Sequence, residues 1–370
     1  MKGSALVMQK IKVLIVDDSA FMRKMIQDFL SEHPSIEVIG TARDGRDALK
    51  KIKTLRPDVV TMDIEMPVLN GLDALQLIME EHPVPVLMLS STTTQGAENT
   101  MQAIAYGAID FIAKPSGPIS LDLYKIKEEL TQKVISASKA NLAQLVKKTT
   151  YVKSTINPLT EYSKIERREL NKLSPQLKNF TKKLVCIGTS TGGPRALQNV
   201  ITKLPRNIDA PIFVVQHMPA GFTKSLAIRL DSLSDCNVKE AIDGEIAQKG
   251  TVYIAPGGFH MLIREQGGNL KIQLDDITPP RNGHRPSVDV MFESISSISS
   301  YAKVAVIMTG MGADGSQGLI DLKKKGSVTA IAESQETSIV YGMPKAAVAT
   351  NLVDEVQNVE RIADTIMKYV

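Results

Sequence analysis

The stretch Leu184-Val-Cys-Ile-Gly-Thr-Ser-Thr-Gly-Gly-Pro194 sets Ser190 among glycines at the end of an apolar run, just ahead of a helical pattern. Small neighbours let the backbone turn sharply and leave the hydroxyl clear, the G-x-S-x-G arrangement of an exposed nucleophile. Serine is a poor nucleophile at neutral pH. It needs an imidazole within hydrogen-bond reach, and the imidazole needs a carboxylate that fixes its tautomer. A second apolar run, Pro211 to Gln216, delivers His217, and a third, Val304 to Met308, leads into Thr309-Gly-Met-Gly-Ala-Asp-Gly315 with Asp314. Three strand ends thus offer a nucleophile, a base and a carboxylate. His260, after a Gly-rich turn, and His284, in the polar loop 279–286 suited to touching substrate, are weaker base candidates. Asp314 is favoured over Asp289 and Asp243 because its glycine-rich loop follows a buried strand and can approach both partners. Backbone N–H groups around Met311 and Gly312 are candidates for an oxyanion site, where one donor is commonly worth about 3 kcal/mol. The same turn from Gly188 to Gly193 could instead cradle a nucleotide phosphate, but it lacks the lysine of a P-loop and the G-x-G-x-x-G spacing.

A second group of polar residues lies in the first third of the chain. Asp17 and Asp18 follow the apolar run 13–16, Asp63 follows 59–62, Ser90 and Ser91 follow 86–89, and Lys114-Pro115 follow 109–112. Ligands of open parallel sheets bind at the carboxyl ends of the strands, so these residues share one edge. Carboxylates gathered there repel one another unless a hard cation sits among them, and oxygen ligands with retained waters suit Mg²⁺. A phosphoryl group carried by Asp63 would find a lysine to neutralise its oxygens and a serine hydroxyl to turn toward it, the parts of a switch.

Both groups require strands to carry them. Buried-strand runs alternate with helical patterns from Ile11 to about Leu130, which predicts an α/β fold with a doubly wound, five-stranded parallel sheet. A second α/β series begins at Leu184, with strands expected at 212–215, 252–255, 304–308 and 328–332. The expected layout is a first domain at 1–130, a helical and basic linker at 131–181, and a second, also doubly wound α/β domain at 182–370. The formal charge of +4 conceals a local excess. Residues 125–183 hold 14 Lys or Arg against 5 Glu, with few aromatics, and Pro158 and Pro175 interrupt the pattern, as in a solvated linker. No basic recognition helix follows Leu184, so nucleic acid is not the expected partner. Two cysteines give neither a disulfide framework nor metal-ligand spacing and point to a reducing compartment, the cytoplasm. Residues 1–12 show no export leader, and no run of about 18 apolar residues predicts a membrane span.

Asp17-Asp18, Met62-Asp-Ile-Glu-Met-Pro67 with Asn70-Gly71, Ser90 and Lys114-Pro115 resemble the CheY-like receiver domain of two-component response regulators. The resemblance implies Asp63 as phosphoacceptor, Asp17 and Asp18 with Asp63 as Mg²⁺ carboxylates, Ser90 and Lys114 as the switch pair, and Phe111 as the switch aromatic. Ile187-Gly-Thr-Ser-Thr-Gly-Gly-Pro194, Gln216-His-Met-Pro219, Ala255-Pro-Gly-Gly258, Gly283-His-Arg-Pro-Ser-Val-Asp289, Met308-Thr-Gly-Met-Gly-Ala-Asp-Gly315 and Tyr341-Gly-Met-Pro344 resemble the CheB family of chemotaxis receptor methylesterases. That resemblance implies hydrolysis of glutamate methyl esters on chemoreceptor helices with release of methanol, and deamidation of receptor glutamines. It implies a triad of Ser190, His217 and Asp314 with Thr191 and Met311 beside it, no cofactor for the esterase reaction, and activation through phosphorylation by the histidine kinase CheA. The competing expectation is a response regulator whose output half binds a nucleotide or DNA without catalysis.

Overall fold

The computed structural model describes residues 9–114, 121–142 and 180–370. Most of the expected basic linker, including Pro158 and Pro175, and most of the first twelve residues lie outside the described residues.

The N-terminal unit is built on β1 (Ile11–Val16), β2 (Ile36–Ala42), β3 (Val59–Asp63), β4 (Val86–Ser90) and β5 (Asp110–Ala113), all parallel in the order β2-β1-β3-β4-β5. Strands β3 and β4 are buried along their whole length, as expected where helices cover both faces of a parallel sheet. The helices are α1 (Ala20–Ser31), α2 (Gly45–Leu55), α3 (Gly71–Glu81), α4 (Thr94–Tyr106) and α5 (Leu121–Ala137). Ser19, Asp44, Asn70 and Thr93 cap the first four, each accepting a bond from a first-turn N–H that would otherwise be orphaned. Helix α5 continues past residue 130 and buries Leu130, Val134 and Ala137 in the same core as Ile15 and Leu89.

The C-terminal unit has a seven-stranded parallel sheet in the order β14-β13-β12-β6-β7-β9-β8. Its strands are β6 (Lys183–Thr189), β7 (Ile212–Gln216), β8 (Asn237–Glu240), β9 (Thr251–Ile254), β12 (Ala302–Ile307), β13 (Val328–Glu333) and β14 (Glu355–Gln357). Among the described residues the helices that flank it are α6 (Gly193–Ile201), α7 (Phe222–Asp231), α8 (Val288–Ser296), α9 (Ser316–Lys325), α10 (Met343–Ala349) and α11 (Val359–Met367). A separate antiparallel hairpin, β10 (His260–Gln266) and β11 (Asn269–Asp275), turns through Gly267-Gly268, both at positive φ, and packs Met261, Ile263, Leu270 and Ile272 onto the core. Neither this hairpin nor the short edge strands β8 and β14 is among the strands expected from the sequence.

In both sheets the strand order reverses beside the first strand of the unit, between β1 and β3 and between β6 and β12. Crossovers leave on opposite sides of such a point, so a crevice opens at the carboxyl ends. Asp17 and Asp63 stand at the first crevice, Ser190 and the 309–315 loop at the second.

The two units are in contact. Phe111 of β5 stacks on Phe222 of α7 with ring centroids 4.5 Å apart, both buried. Thr191 Oγ1 donates to Asp110 Oδ2 (2.7 Å), Asn141 N donates to Ile339 O (3.2 Å), and Ser136 Oγ lies against Met311 Sδ. Among the described residues no helix is long and apolar enough to cross a membrane.

Candidate active site and acidic pocket

Ser190, His217 and the loop carrying Asp314 leave three adjacent strands, β12, β6 and β7. Register makes them neighbours: Thr189 pairs with Gln216 and Gly188 with Ile307. His217 N donates to Thr189 O (3.2 Å) and Ser190 N to Thr309 O (3.0 Å), so the serine is clasped between the other two strand ends.

The turn at Ser190 is held from beneath by Gln216, whose carboxamide is buried. Its Oε1 accepts from Thr189 Oγ1 (2.7 Å) and its Nε2 donates to Ser190 O (3.0 Å). Glycine is required at 193 because a Cβ there would fall 1.9 Å from Gln216 Oε1. At Gly310 a Cβ would fall 2.8 Å from the Cβ of Ser190, so only glycine lets the 309–315 loop close on the serine. That loop is anchored by Glu333, whose buried carboxylate accepts from Thr309 N (2.8 Å) and Thr337 Oγ1 (2.9 Å). Burial pushes the Glu333 carboxyl up to about 7, against those two bonds.

His217 Nε2 donates to Asp314 Oδ2 at 2.7 Å, with both side chains almost fully buried. Asp314 is fixed by four further donors: Val288 N (2.7 Å) on Oδ2, and Asp289 N (2.9 Å), Ser287 Oγ (2.9 Å) and Gly315 N (3.1 Å) on Oδ1. Burial alone would favour its neutral form, but the bond and charge of His217 and the backbone donors hold its carboxyl far below the usual range. The opposite ring nitrogen, His217 Nδ1, is buried and has no hydrogen-bond partner among the described residues. The described hydrogen bonds include none from Ser190 Oγ to His217.

The other candidates have different surroundings. Asp289 accepts from Gly315 N and Gly318 N (2.8 and 2.7 Å) and braces the start of α9. Burial and the neighbouring Asp314 push it upward. Asp243 accepts from Leu274 N (2.8 Å) and ties down the hairpin. The Nε2 of His260 meets Pro279 O (3.1 Å). His284 stacks on His217, with centroids 3.8 Å apart and planes at 9°. Thr191 is buried, its hydroxyl held by Asp110, while Gly312 is exposed with φ +82°. Gln216, Asp110, Ser287 and Glu333 were not singled out from the sequence. Each is an ordinary polar residue at a strand or helix end until the fold shows what it touches.

At the other crevice, carboxylate oxygens of Asp17, Asp18 and Asp63 lie within 4.8 Å of one another. Lys114 Nζ reaches Asp63 Oδ2 at 2.7 Å and Asp17 Oδ2 at 3.0 Å. Burial raises the Asp63 carboxyl despite that ammonium, and Lys114 is raised because the two carboxylates outweigh its own burial. Ser90 Oγ points toward α4, donating to Gly96 O (2.9 Å) and accepting from Thr100 Oγ1 (2.7 Å). Phe111 is packed against Phe222, with Lys133 Nζ 5.2 Å from its ring centroid.

Residues 185–366 match the family model described as CheB methylesterase, and residues 13–124 match the response regulator receiver domain. A protein-glutamate methylesterase/protein-glutamine glutaminase of Geobacillus kaustophilus is 57% identical over 98% of this chain and 99% of its own. The protein of the same description from Bacillus subtilis is 54% identical over 96% of this chain and 97% of its own. The crystal structure of the Thermotoga maritima CheB methylesterase catalytic domain is 47% identical, covering 51% of this chain and all of that one, with a TM-score of 0.49. With full-length relatives above half identity, the chain belongs to the CheB methylesterase family and carries an N-terminal receiver domain.

Proposed function

We propose that this chain is a protein-glutamate methylesterase and protein-glutamine deamidase of chemotactic adaptation, acting in the cytoplasm on chemoreceptor helices and activated when the kinase CheA supplies a phosphoryl group to Asp63. The observation that carries the chemistry is the state of His217: one ring nitrogen bound to a deeply buried carboxylate, the other buried, without a hydrogen-bond partner among the described residues, and on the strand end beside Ser190.

Because Asp314 accepts from Nε2, the lone pair of the neutral imidazole is on Nδ1, and Nδ1 takes the Ser190 proton as Oγ attacks the ester carbonyl. The bond from Oγ to carbon forms, the imidazolium returns its proton to the leaving methoxide, and methanol departs. Water activated by the same nitrogen then releases the glutamate. With a glutamine substrate the leaving group is ammonia. Backbone N–H groups of Thr191, Met311 and Gly312 are the proposed oxyanion donors, on the loop that Gly310 lets close on the serine. Neither Asp289 nor Asp243 competes for the carboxylate role, since the bond to His217 Nε2 is made by Asp314, whereas Asp289 accepts from Gly315 N and Gly318 N and Asp243 from Leu274 N.

The acidic pocket fits a hard cation, because three carboxylates of low mutual separation are compensated, among the described residues, by one ammonium paired with two of them. Asp17, Asp18 and Asp63 would hold Mg²⁺, which supplies charge neutralisation for phosphoryl transfer. Lys114 then neutralises phosphoryl oxygens, and Ser90 leaves Gly96 O and Thr100 to reach them. Phe111 and Asp110 belong to the next strand, so this movement acts directly on the contacts with Phe222 and Thr191. Those contacts support a closed resting state in which the receiver covers the cleft. The proposed division is a receiver at 1–130, a helical and basic linker at 131–181 whose first residues complete α5 against the receiver core, and the esterase domain at 182–370.

Methanol release from methylated receptor fragments, with and without acetyl phosphate, tests the whole reading. Wild type is expected to accelerate with acetyl phosphate, Asp63→Ala to lose only that acceleration, and Ser190→Ala to lose hydrolysis while staying folded. Hydrolysis unchanged in Ser190→Ala would end the proposal.

A further inference from the structure

We infer that His284 is a positioning residue for the base, its ring forming the plate that holds the His217 imidazole in the plane where Nε2 meets Asp314 and Nδ1 is turned to Ser190. The inference rests on His217 being the base.

One hydrogen bond fixes the distance of an imidazole from its carboxylate but leaves the ring free to rock about that bond, since torsion into a planar ring is broad. Something must press on its face. The only ring stacked on His217 among the described residues is that of His284, parallel to within 9° at 3.8 Å. Its platform is rigid. Arg281 and His284 exchange both backbone hydrogen bonds (3.0 and 2.9 Å) around a two-residue turn in which Asn282 and Gly283 take φ +51° and +84°, a tight hairpin turn. Arg281 Nη1 is tied to Glu293, Arg285 Nη1 to the carbonyls of Asp276 and Thr278, and Arg285 O accepts from Gly258 N.

The same segment grips the carboxylate. Three residues beyond His284, Ser287 Oγ and the amides of Val288 and Asp289 donate to Asp314. Residues 284–289 therefore set the plane of the ring and the position of its partner together, which a substrate-contacting loop has no need to do. Burial first, and then the nearness of His217, push His284 down to about 4, so a neutral ring lies over His217 when it becomes imidazolium. A neutral aromatic face attracts that cation, where a second cation would repel it.

The test uses the full chain with acetyl phosphate and a methylated receptor fragment. His284→Ala is expected to lower kcat about 10- to 100-fold, with KM within twofold of wild type, because a base misplaced by about an ångström forfeits near-attack geometry. His284→Phe, which keeps the plate but cannot exchange protons, is expected to recover to within about threefold of wild type. Nitrogen-15 spectra of the ring provide a readout independent of turnover. His217 should show a single neutral tautomer protonated at Nε2 in wild type and His284→Phe, and averaged shifts in His284→Ala, or in His284→Leu should the alanine variant fail to fold. A raised KM at unchanged kcat would make His284 a substrate contact and overturn the inference, as would a phenylalanine variant as impaired as the alanine one. Loss of activity with the ring spectrum unchanged overturns it too. Should His217→Ala prove fully active, the base assignment fails separately, and the ring spectra still decide whether His284 holds His217.

Discussion

Replacing Asp314 by Asn changes one atom of a carboxylate that is held by five donors, and the structure says where that atom must go. Oδ1 receives Ser287 Oγ, Asp289 N and Gly315 N, whereas Oδ2 receives His217 Nε2 and Val288 N. A carboxamide nitrogen set at Oδ1 would confront three donors, and at Oδ2 two, so it goes to Oδ2. There it faces His217, and the ring can relieve the clash only by moving its proton to Nδ1. The nitrogen that should take the Ser190 proton is then already occupied. A triad with the wrong tautomer loses roughly 10⁴-fold in kcat, which corresponds to about 5 kcal/mol of transition-state stabilisation. The amide of Val288 also loses its acceptor while buried, costing about 1–3 kcal/mol of folding stability. Methanol release in the presence of acetyl phosphate measures the first effect and urea unfolding the second. KM should barely move, since Asp314 lies behind the imidazole. An Asp314→Asn variant within tenfold of wild-type kcat would refute the assignment of His217 and Asp314 as a base and its orienting carboxylate.

Three other substitutions probe separate parts of the molecule. Asp110→Ala removes the acceptor of the Thr191 hydroxyl; a hydrogen bond to a charged group is worth about 1.5–3 kcal/mol, so methanol release without phosphodonor should rise roughly 10- to 100-fold, and an unchanged basal rate would count against the closed interface. Glu333 carries a proton up to about 7 in the folded chain but loses it near the usual glutamate value when unfolded, so stability falls as pH rises between those two values and stays low above them. Glu333→Gln keeps an acceptor for Thr309 N and should flatten this dependence, adding on the order of 2–3 kcal/mol above neutral pH in urea unfolding at pH 5 and 8.5. Gly193→Ala drives a methyl into Gln216 Oε1; the carboxamide must release Thr189 or Ser190, and both a stability loss of about 1–3 kcal/mol and a kcat reduction of about tenfold or more are expected from the same two assays.

Much of the architecture could be read before any coordinates. The runs at 86–89 and 212–215 became β4 and β7, each one residue longer at its carboxyl end, because four consecutive apolar residues leave no polar face and therefore call for burial on both sides. The hairpin at 260–275 escaped, although its signal is present. Buried Leu270 and Ile272 alternate with Asn269, Lys271 and Gln273, and Gly267-Gly268 supplies a two-residue turn. The short strand 355–357 carries no such pattern, as its register with β13 depends on a neighbour already in place. The stretch around Pro158 and Pro175 lies outside the described residues.

The sites divide along the same line. That Ser190 occupies a glycine-framed turn, and that Asp17, Asp63, Ser90 and Lys114 end or follow buried strands, is local information, set by side-chain volume and backbone freedom within a few residues. Which histidine and which aspartate come to the serine is not local. It depends on the order β12-β6-β7, which joins residues about a hundred positions apart through strand register. Nor could spacing show that His217 presents Nε2 to Asp314, that His284 lies flat upon it, or that Asp110 of one unit takes the hydroxyl of Thr191 in the other. Composition and pattern determined the strands, turns and kinds of chemistry available. Packing alone decided the partners, because a hydrogen bond or a ring stack is selected by sub-ångström placement in three dimensions, and chain separation carries no information at that scale.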